Sequence, residues 1–282
     1  MNIKYRLEID GLRAIAVIAV IFYHAQITLF GYKPFQGGFI GVDIFFVISG
    51  YLITSIILKE LVTTGTFSFK YFYERRIRRI LPALLFVMLV SLPIAWMYLL
   101  PANFVDFVKS ILNSLGFTSN FYFWASREAY GAESSLLKPF LHTWSLSIEE
   151  QFYILLPISL FITFKYFKKY LIFILATGFV ISLTLADHLS LNHPSFNFYI
   201  LPTRIWELLA GSILAYFEIF HEGKHRNKNH KMLNFIFPSI GLLLIGHSIL
   251  FFNDQGFHPS FYTLSPVIGV CLIIWFSNKN EI

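Results

Sequence analysis

Apolar stretches of about twenty residues recur from one end of this chain to the other, and each is long enough as a helix to cross a hydrocarbon layer of about 30 Å. Backbone polar groups in such a layer have to be satisfied within the segment, which leaves the helix as the form these runs take. Eight runs read firmly as spanning helices, at about 12–30, 39–58, 80–100, 148–164, 170–187, 199–219, 233–252 and 262–277. The composition agrees: 56% of the 282 residues are hydrophobic and 13% charged, too little polar surface to wet a soluble exterior. The expected fold class is all-α, a polytopic transmembrane helical bundle. No small-residue cleavage pattern follows the first run, so no cleavable signal peptide is expected. One cysteine, Cys271, leaves no intrachain disulfide and no Cys-based cluster, and no metal is expected.

A ninth segment, 104–124, is weakly hydrophobic because it carries Asp106, Lys109, Asn113, Thr118, Ser119 and Asn120. Loops on the cytoplasmic side of a membrane collect Lys and Arg. If the N-terminus is inside and 104–124 does not cross, 16 Lys and Arg fall inside and four outside, with Arg13 and Arg204 left in the membrane. If it crosses, every later loop flips and the split becomes even. The charges therefore predict a re-entrant or interfacial segment. They also explain the net charge of +6 as orientation anchors beside acidic lipid, with no nucleic acid required.

Ionisable residues inside membrane helices are costly and are functional candidates by default. Arg13 and His24 stand eleven residues apart in the first run. That is three turns plus about 20°, with a rise of about 16 Å, so both side chains share one stripe. Arg13 is expected near the cytoplasmic edge, where snorkelling or pairing with Asp10 is the plain alternative. His24 is expected around mid-membrane, where a simple interhelical hydrogen bond is its own. The shared stripe points instead to a cavity that begins at the cytoplasm.

"YERRIRRILPAL" (73–84) puts four arginines before an apolar helix. Arg76 and Arg79 share one face, Arg75 and Arg78 another. Anchoring explains any one of them, but four guanidiniums in five positions suit phosphate oxygens. In "HTWSLSIEEQFY" (142–153), Ser147 and Glu150 fit a capping box opening the next helix, which leaves Glu149 to point elsewhere. Asp43 and the i,i+3 pair Arg204/Glu207, which has the spacing to neutralise itself, complete the buried polar candidates.

These residues carry a resemblance. The R-x10-H of Arg13 and His24, then "GFIGVDIFFVISGYLI", "YERRIRRILPAL", "HTWSLSIEEQFY" and "TRIWELLAG", stand in the order seen in the integral-membrane acyltransferase-3 family. The resemblance covers essentially the whole chain. It implies a bacterial inner-membrane enzyme that O-acetylates surface polysaccharide. The donor would be cytoplasmic acetyl-CoA, with no permanently bound cofactor. The acceptor would be a glycan or lipid-linked glycan hydroxyl outside the cytoplasm, such as lipopolysaccharide O-antigen. By the same resemblance His24 is the catalytic histidine, Arg13 its partner, and Arg76 and Arg79 the pair near the CoA phosphates, with Arg75/Arg78 as the alternative register. Glu149 is held as a group that orients the imidazole or binds acceptor.

Many members have about ten membrane helices, and some continue into an SGNH-type hydrolase-like domain. This sequence reaches "NKNEI" after its eighth firm helix with no G-D-S block. It is therefore expected to be a membrane acyltransferase domain over 1–282, either a short member or one without the last helices. The rival class is a transporter or flippase for an anionic substrate. Buried charges suit that class too, but it commonly carries internal repeats, and none is found here.

Overall fold

The structure is a computed structural model, and it describes residues 6–28, 33–128, 138–225, 231–253 and 257–277. Among these there is no strand. Eleven α-helices follow in order: α1 (Leu7–His24), α2 (Gly41–Thr64), α3 (Phe69–Tyr98), α4 (Pro101–Leu115), α5 (Ser119–Glu128), α6 (Thr143–Phe167), α7 (Leu171–Asn192), α8 (Pro194–Tyr199), α9 (Leu201–His225), α10 (Lys231–Phe251) and α11 (Leu264–Phe276). Each of the eight expected runs coincides with a helix.

Four helical segments are long and apolar enough by composition alone to cross a membrane. They are Gly38–Thr64, Phe69–Tyr98, Thr143–Asn192 (α6 and α7 in succession) and Met232–Phe251. Helix α1 carries Glu8, Asp10 and Arg13, and α9 carries Arg204, Glu207 and Glu218, so charge rather than length keeps both from this group. The chain is a multi-pass membrane bundle.

Helix α2 forms the centre, with 72% of its apolar stretch buried. It lies against α9 in backbone contact. A Cβ on Gly50 would fall 1.8 Å from the Leu208 carbonyl oxygen, and one on Gly211 would fall 2.0 Å from that of Val47. Small residues at such crossings let helix backbones approach where lipid supplies no hydrophobic drive. Thr54 Oγ1 donates to Ser212 Oγ at 2.8 Å across the same seam. Helices α10 and α11 meet in the same way through Gly241 and Gly269.

The weak segment does not form one crossing helix. It breaks at 116–118, where Phe117 has φ +52°, into α4 and α5. Ser114, Ser119 and Asn120 turn inward onto α6, while Asp106 and Lys109 pair with each other on the exposed face. Ser114 Oγ lies 2.7 Å from Thr143 Oγ1, Ser119 Oγ 2.7 Å from Ser147 Oγ, and Asn120 accepts from Gln151 Nε2 at 2.9 Å. Helices α3 and α6 run antiparallel, since Phe69 packs on Phe161 and Arg76 on Tyr153. The chain thus leaves α3 and enters α6 at the same end of the bundle, as the charge count required.

Boundaries differ from expectation: α3 begins at Phe69 rather than 80 and α6 at Thr143 rather than 148. The first helix begins at Leu7 and ends at His24 rather than running over 12–30. The arginine and two carboxylates of its first turns fold into the helix because they find partners there.

Candidate functional site

A cavity of about 470 Å³ opens among the starts of α1 and α3 and the flanks of α2 and α6. Arg6, Asp10 and Arg13 line it from the α1 side, Arg75, Arg76 and Arg79 from α3, Ser49 from α2, and Glu149 and Tyr153 from α6. This volume lies in the range of cofactor and small-ligand sites.

The two arginine walls differ. On the α1 side the cations are already neutralised. Arg13 Nη1 is 3.0 Å from Asp10 Oδ1, so the plain pairing foreseen for it exists alongside its place in the cavity. Arg6 donates to Glu8, to the Tyr51 hydroxyl, to Glu218 at 3.3 Å and to the Ile274 carbonyl at 2.5 Å, tying the start of α1 to α2, α9 and α11. On the α3 side, no carboxylate among the described residues forms an ion pair with Arg75, Arg76 or Arg79. Arg75 lies 4.2 Å over the Tyr71 ring and Arg76 4.0 Å over the Tyr153 ring, with the Arg76 Nε buried and unpartnered. An aromatic face holds a guanidinium in place while leaving its N–H groups free for an anion.

Arg78 departs from expectation. It pairs with Glu74 at 2.7 Å on the exposed face and does not line the cavity, because its turn of the helix points outward. Arg75, Arg76 and Arg79 thus face the cavity, and Arg78 does not.

Glu149 accepts from Ser49 Oγ at 2.9 Å and from the Tyr153 hydroxyl at 3.2 Å, with Arg76 near enough to act on it electrostatically. Its hydrogen bonds go to these groups and not to His24. The expected capping box is absent. Helix α6 already begins at Thr143, so Ser147 is interior and bonds Ser119, while Glu150 is buried with Oε1 unpartnered beside Arg76.

His24 lies on the Arg13 stripe but is the last residue of α1 and is exposed, outside the cavity lining, rather than midway along a longer helix. Its imidazole acts electrostatically on His142, which precedes α6 at that same end.

The remaining candidates form a second, fully buried group. Arg204 Nη1 donates to Asp43 Oδ1 at 2.8 Å as well as to Glu207 Oε1 at 2.7 Å, so the i,i+3 pair does not simply close on itself. His258 Nε2 stands 3.7 Å from Asp43 Oδ1. Burial, with Arg204 adding to it, holds the His258 imidazole well below its usual proton affinity. No group of three or more His, Cys, Asp or Glu among the described residues is placed to hold a metal ion.

Arg6, Ser49, Tyr153 and His258 were not singled out from the sequence. For Tyr153 a signal existed, since it follows Glu149 by one helical turn inside a motif already in view.

Fold and site together define a polytopic membrane protein with an arginine-lined cavity at one end. Residues 6–282 match the family model described as "Acyltransferase domain", and the chain belongs to that family. A Staphylococcus aureus (strain MSSA476) protein named as a putative O-acetyltransferase is 38% identical over 276 residues, covering 94% of this chain and 44% of its own length. The peptidoglycan O-acetyltransferase OatA of Listeria monocytogenes is 37% identical over 217 residues, 76% of this chain and 34% of its own. An uncharacterized Haemophilus influenzae protein is 34% identical over 249 residues, 86% of this chain and all of its own length. The chain thus spans less than half of the two named relatives. No solved structure matches it.

Proposed function

We propose that this membrane domain transfers an acetyl group from cytoplasmic acetyl-CoA to a hydroxyl of a glycan outside the cytoplasm, in a bacterial inner membrane. The observation that carries the reading is the cavity wall of Arg75, Arg76 and Arg79, in ion pairs with no carboxylate among the described residues and with Arg75 and Arg76 held on aromatic rings. Phosphate oxygens are the natural complement of such guanidiniums. From this wall the donor's pantetheine arm would run along the α1 stripe. The rise of about 16 Å from Arg13 to His24 is the scale of an extended arm rather than of a single contact.

At its end the His24 imidazole takes the proton of the acceptor hydroxyl as that oxygen attacks the thioester carbonyl, and the thiolate leaves. Glu149, fixed by Ser49 and Tyr153, keeps Arg76 aimed into the cavity. The acceptor class follows the relatives. A peptidoglycan sugar is suggested by the Listeria enzyme's name, and lipopolysaccharide O-antigen presents the same chemistry.

The test is labelled acetyl transfer from acetyl-CoA into envelope glycans by cells expressing the chain at equal levels. His24→Ala should lower transfer by about 100-fold or more, the usual scale for loss of a general base. Equal label in wild type and His24→Ala would remove His24 from the reaction. Binding of CoA without any transfer would favour a carrier of anionic substrates over an enzyme.

A further inference from the structure

The buried group of Asp43, Arg204, Glu207 and His258 takes no part in that reading, and its chemistry stands independently of acetyl transfer. Asp43 and Arg204 are 0% exposed, as is Glu207. One Nη1 of Arg204 serves an oxygen of each carboxyl group. The second oxygens, Asp43 Oδ2 and Glu207 Oε2, are buried with no donor, although the two carboxyl groups lie within hydrogen-bond reach of each other. Were both ionised, one guanidinium would face two carboxylates in apolar surroundings, and two acceptors would meet with no hydrogen between them. An uncompensated buried charge is strongly destabilising. One hydrogen removes both difficulties, as in other carboxyl pairs that sit too close to ionise together.

We propose that Asp43 and Glu207 form a carboxyl–carboxylate pair holding one proton between them, and that His258 is the group through which this proton exchanges with the exterior. His258 is placed for it. It is the member of the group nearest the exterior, since its side chain is 9% exposed against 0–1% for the other three, while its two ring nitrogens are themselves buried and lack a hydrogen-bond partner. Phe39 and Phe198 pack on the imidazole, while Phe46 and Trp144 cover the guanidinium, so the aromatic shell closes the other sides. Only an O–H bond is broken and remade. The proton passes from the carboxyl group to the imidazole and on to water, and its return restores the charge balance around Arg204.

Infrared spectroscopy of the purified full chain in detergent tests this through the carbonyl stretch of a protonated carboxylic acid. Asp43→Asn and Glu207→Gln each leave one guanidinium facing one carboxylate, which needs no proton. Each single variant should therefore lose the same band completely. Loss in only one variant would assign the proton to that acid alone and overturn the shared pair, and loss in neither would overturn the proton itself. Should a variant fail to fold, Glu207→Asp, which keeps the carboxyl group, must shift the band rather than remove it. His258→Leu should keep the band but slow its shift on transfer to D2O several-fold. An unchanged rate would remove His258 from the exchange path.

Discussion

At the scale of single residues, the arginines of α3 separate into those that face the cavity and one that does not. Arg76, held on the Tyr153 ring, should dominate anion binding there. Arg76→Ala should weaken CoA binding by roughly tenfold, about 1.4 kcal/mol, a typical value for one charge-assisted contact. Arg78→Ala, which removes only an exposed pair with Glu74, should leave binding unchanged. Isothermal titration of CoA into the two variants checks both. The sequence made the four arginines conspicuous but could not choose among them, because overlapping i,i+3 pairs look alike until the helix has a neighbour. Asp43 was visible as a misplaced charge, yet its partner Arg204 lies 161 positions away, a separation that no local pattern reports. His258 sits in a connection outside every apolar run, where a histidine attracts no notice.

At the scale of helices, the α2–α9 seam is the contact least able to adjust. The atoms that a side chain at Gly50 would meet are backbone, which cannot turn aside. Gly50→Ala should lower the thermal midpoint markedly, at a cost of about 1–3 kcal/mol or more, the range for overpacked sites. Gly178→Ala should cost far less, since the nearest atom there is the tip of Leu209 at 3.1 Å. Thermal unfolding in one detergent compares them. The α4–α5 hairpin shows the opposite economy. Ser114, Ser119 and Asn120 lower its hydropathy because they are spent on α6, and Asp106 and Lys109 lower it further from the exposed face. Helix existence was legible from apolar run length alone. Helix ends were not, since Leu7 and Thr143 lie within polar stretches whose partners come from elsewhere in the fold.

At the scale of the whole molecule, the eight expected crossings with a non-crossing α4–α5 pair predict a definite sidedness. With Cys271 replaced by serine, cysteines introduced at Lys33 and Lys138 should react with an impermeant maleimide from one side of the membrane. Those introduced at Lys59 and Lys168 should react only from the other. A shared side for Lys33 and Lys168 would overturn the arrangement.

Acidity offers a second global test. His258 resists protonation in the folded state because of its burial and the nearby Arg204, whereas in the unfolded chain it titrates at its usual 6.5. The unfolded state therefore binds the extra proton, and stability should fall as the pH drops below about 6.5. His258→Leu should show a shallower acid-side decline in thermal midpoint than wild type over the same pH range.

Helix α3 supplies one wall of the cavity, yet only 11% of its apolar stretch is buried, against 72% for α2. The remainder, including Phe86, Leu89, Trp96 and Met97, faces outward. Its apolar part, Ile80 to Tyr98, makes about 28 Å of helix, close to the thickness of a typical hydrocarbon layer, with the arginine-bearing turns beyond it. A helix so little held by protein takes its tilt from the bilayer around it, and a layer of another thickness changes that tilt by hydrophobic mismatch. The aperture between Arg13 and the α3 arginines is in this sense a property of protein and lipid together, and a thinner or thicker membrane resets it without any change of residue.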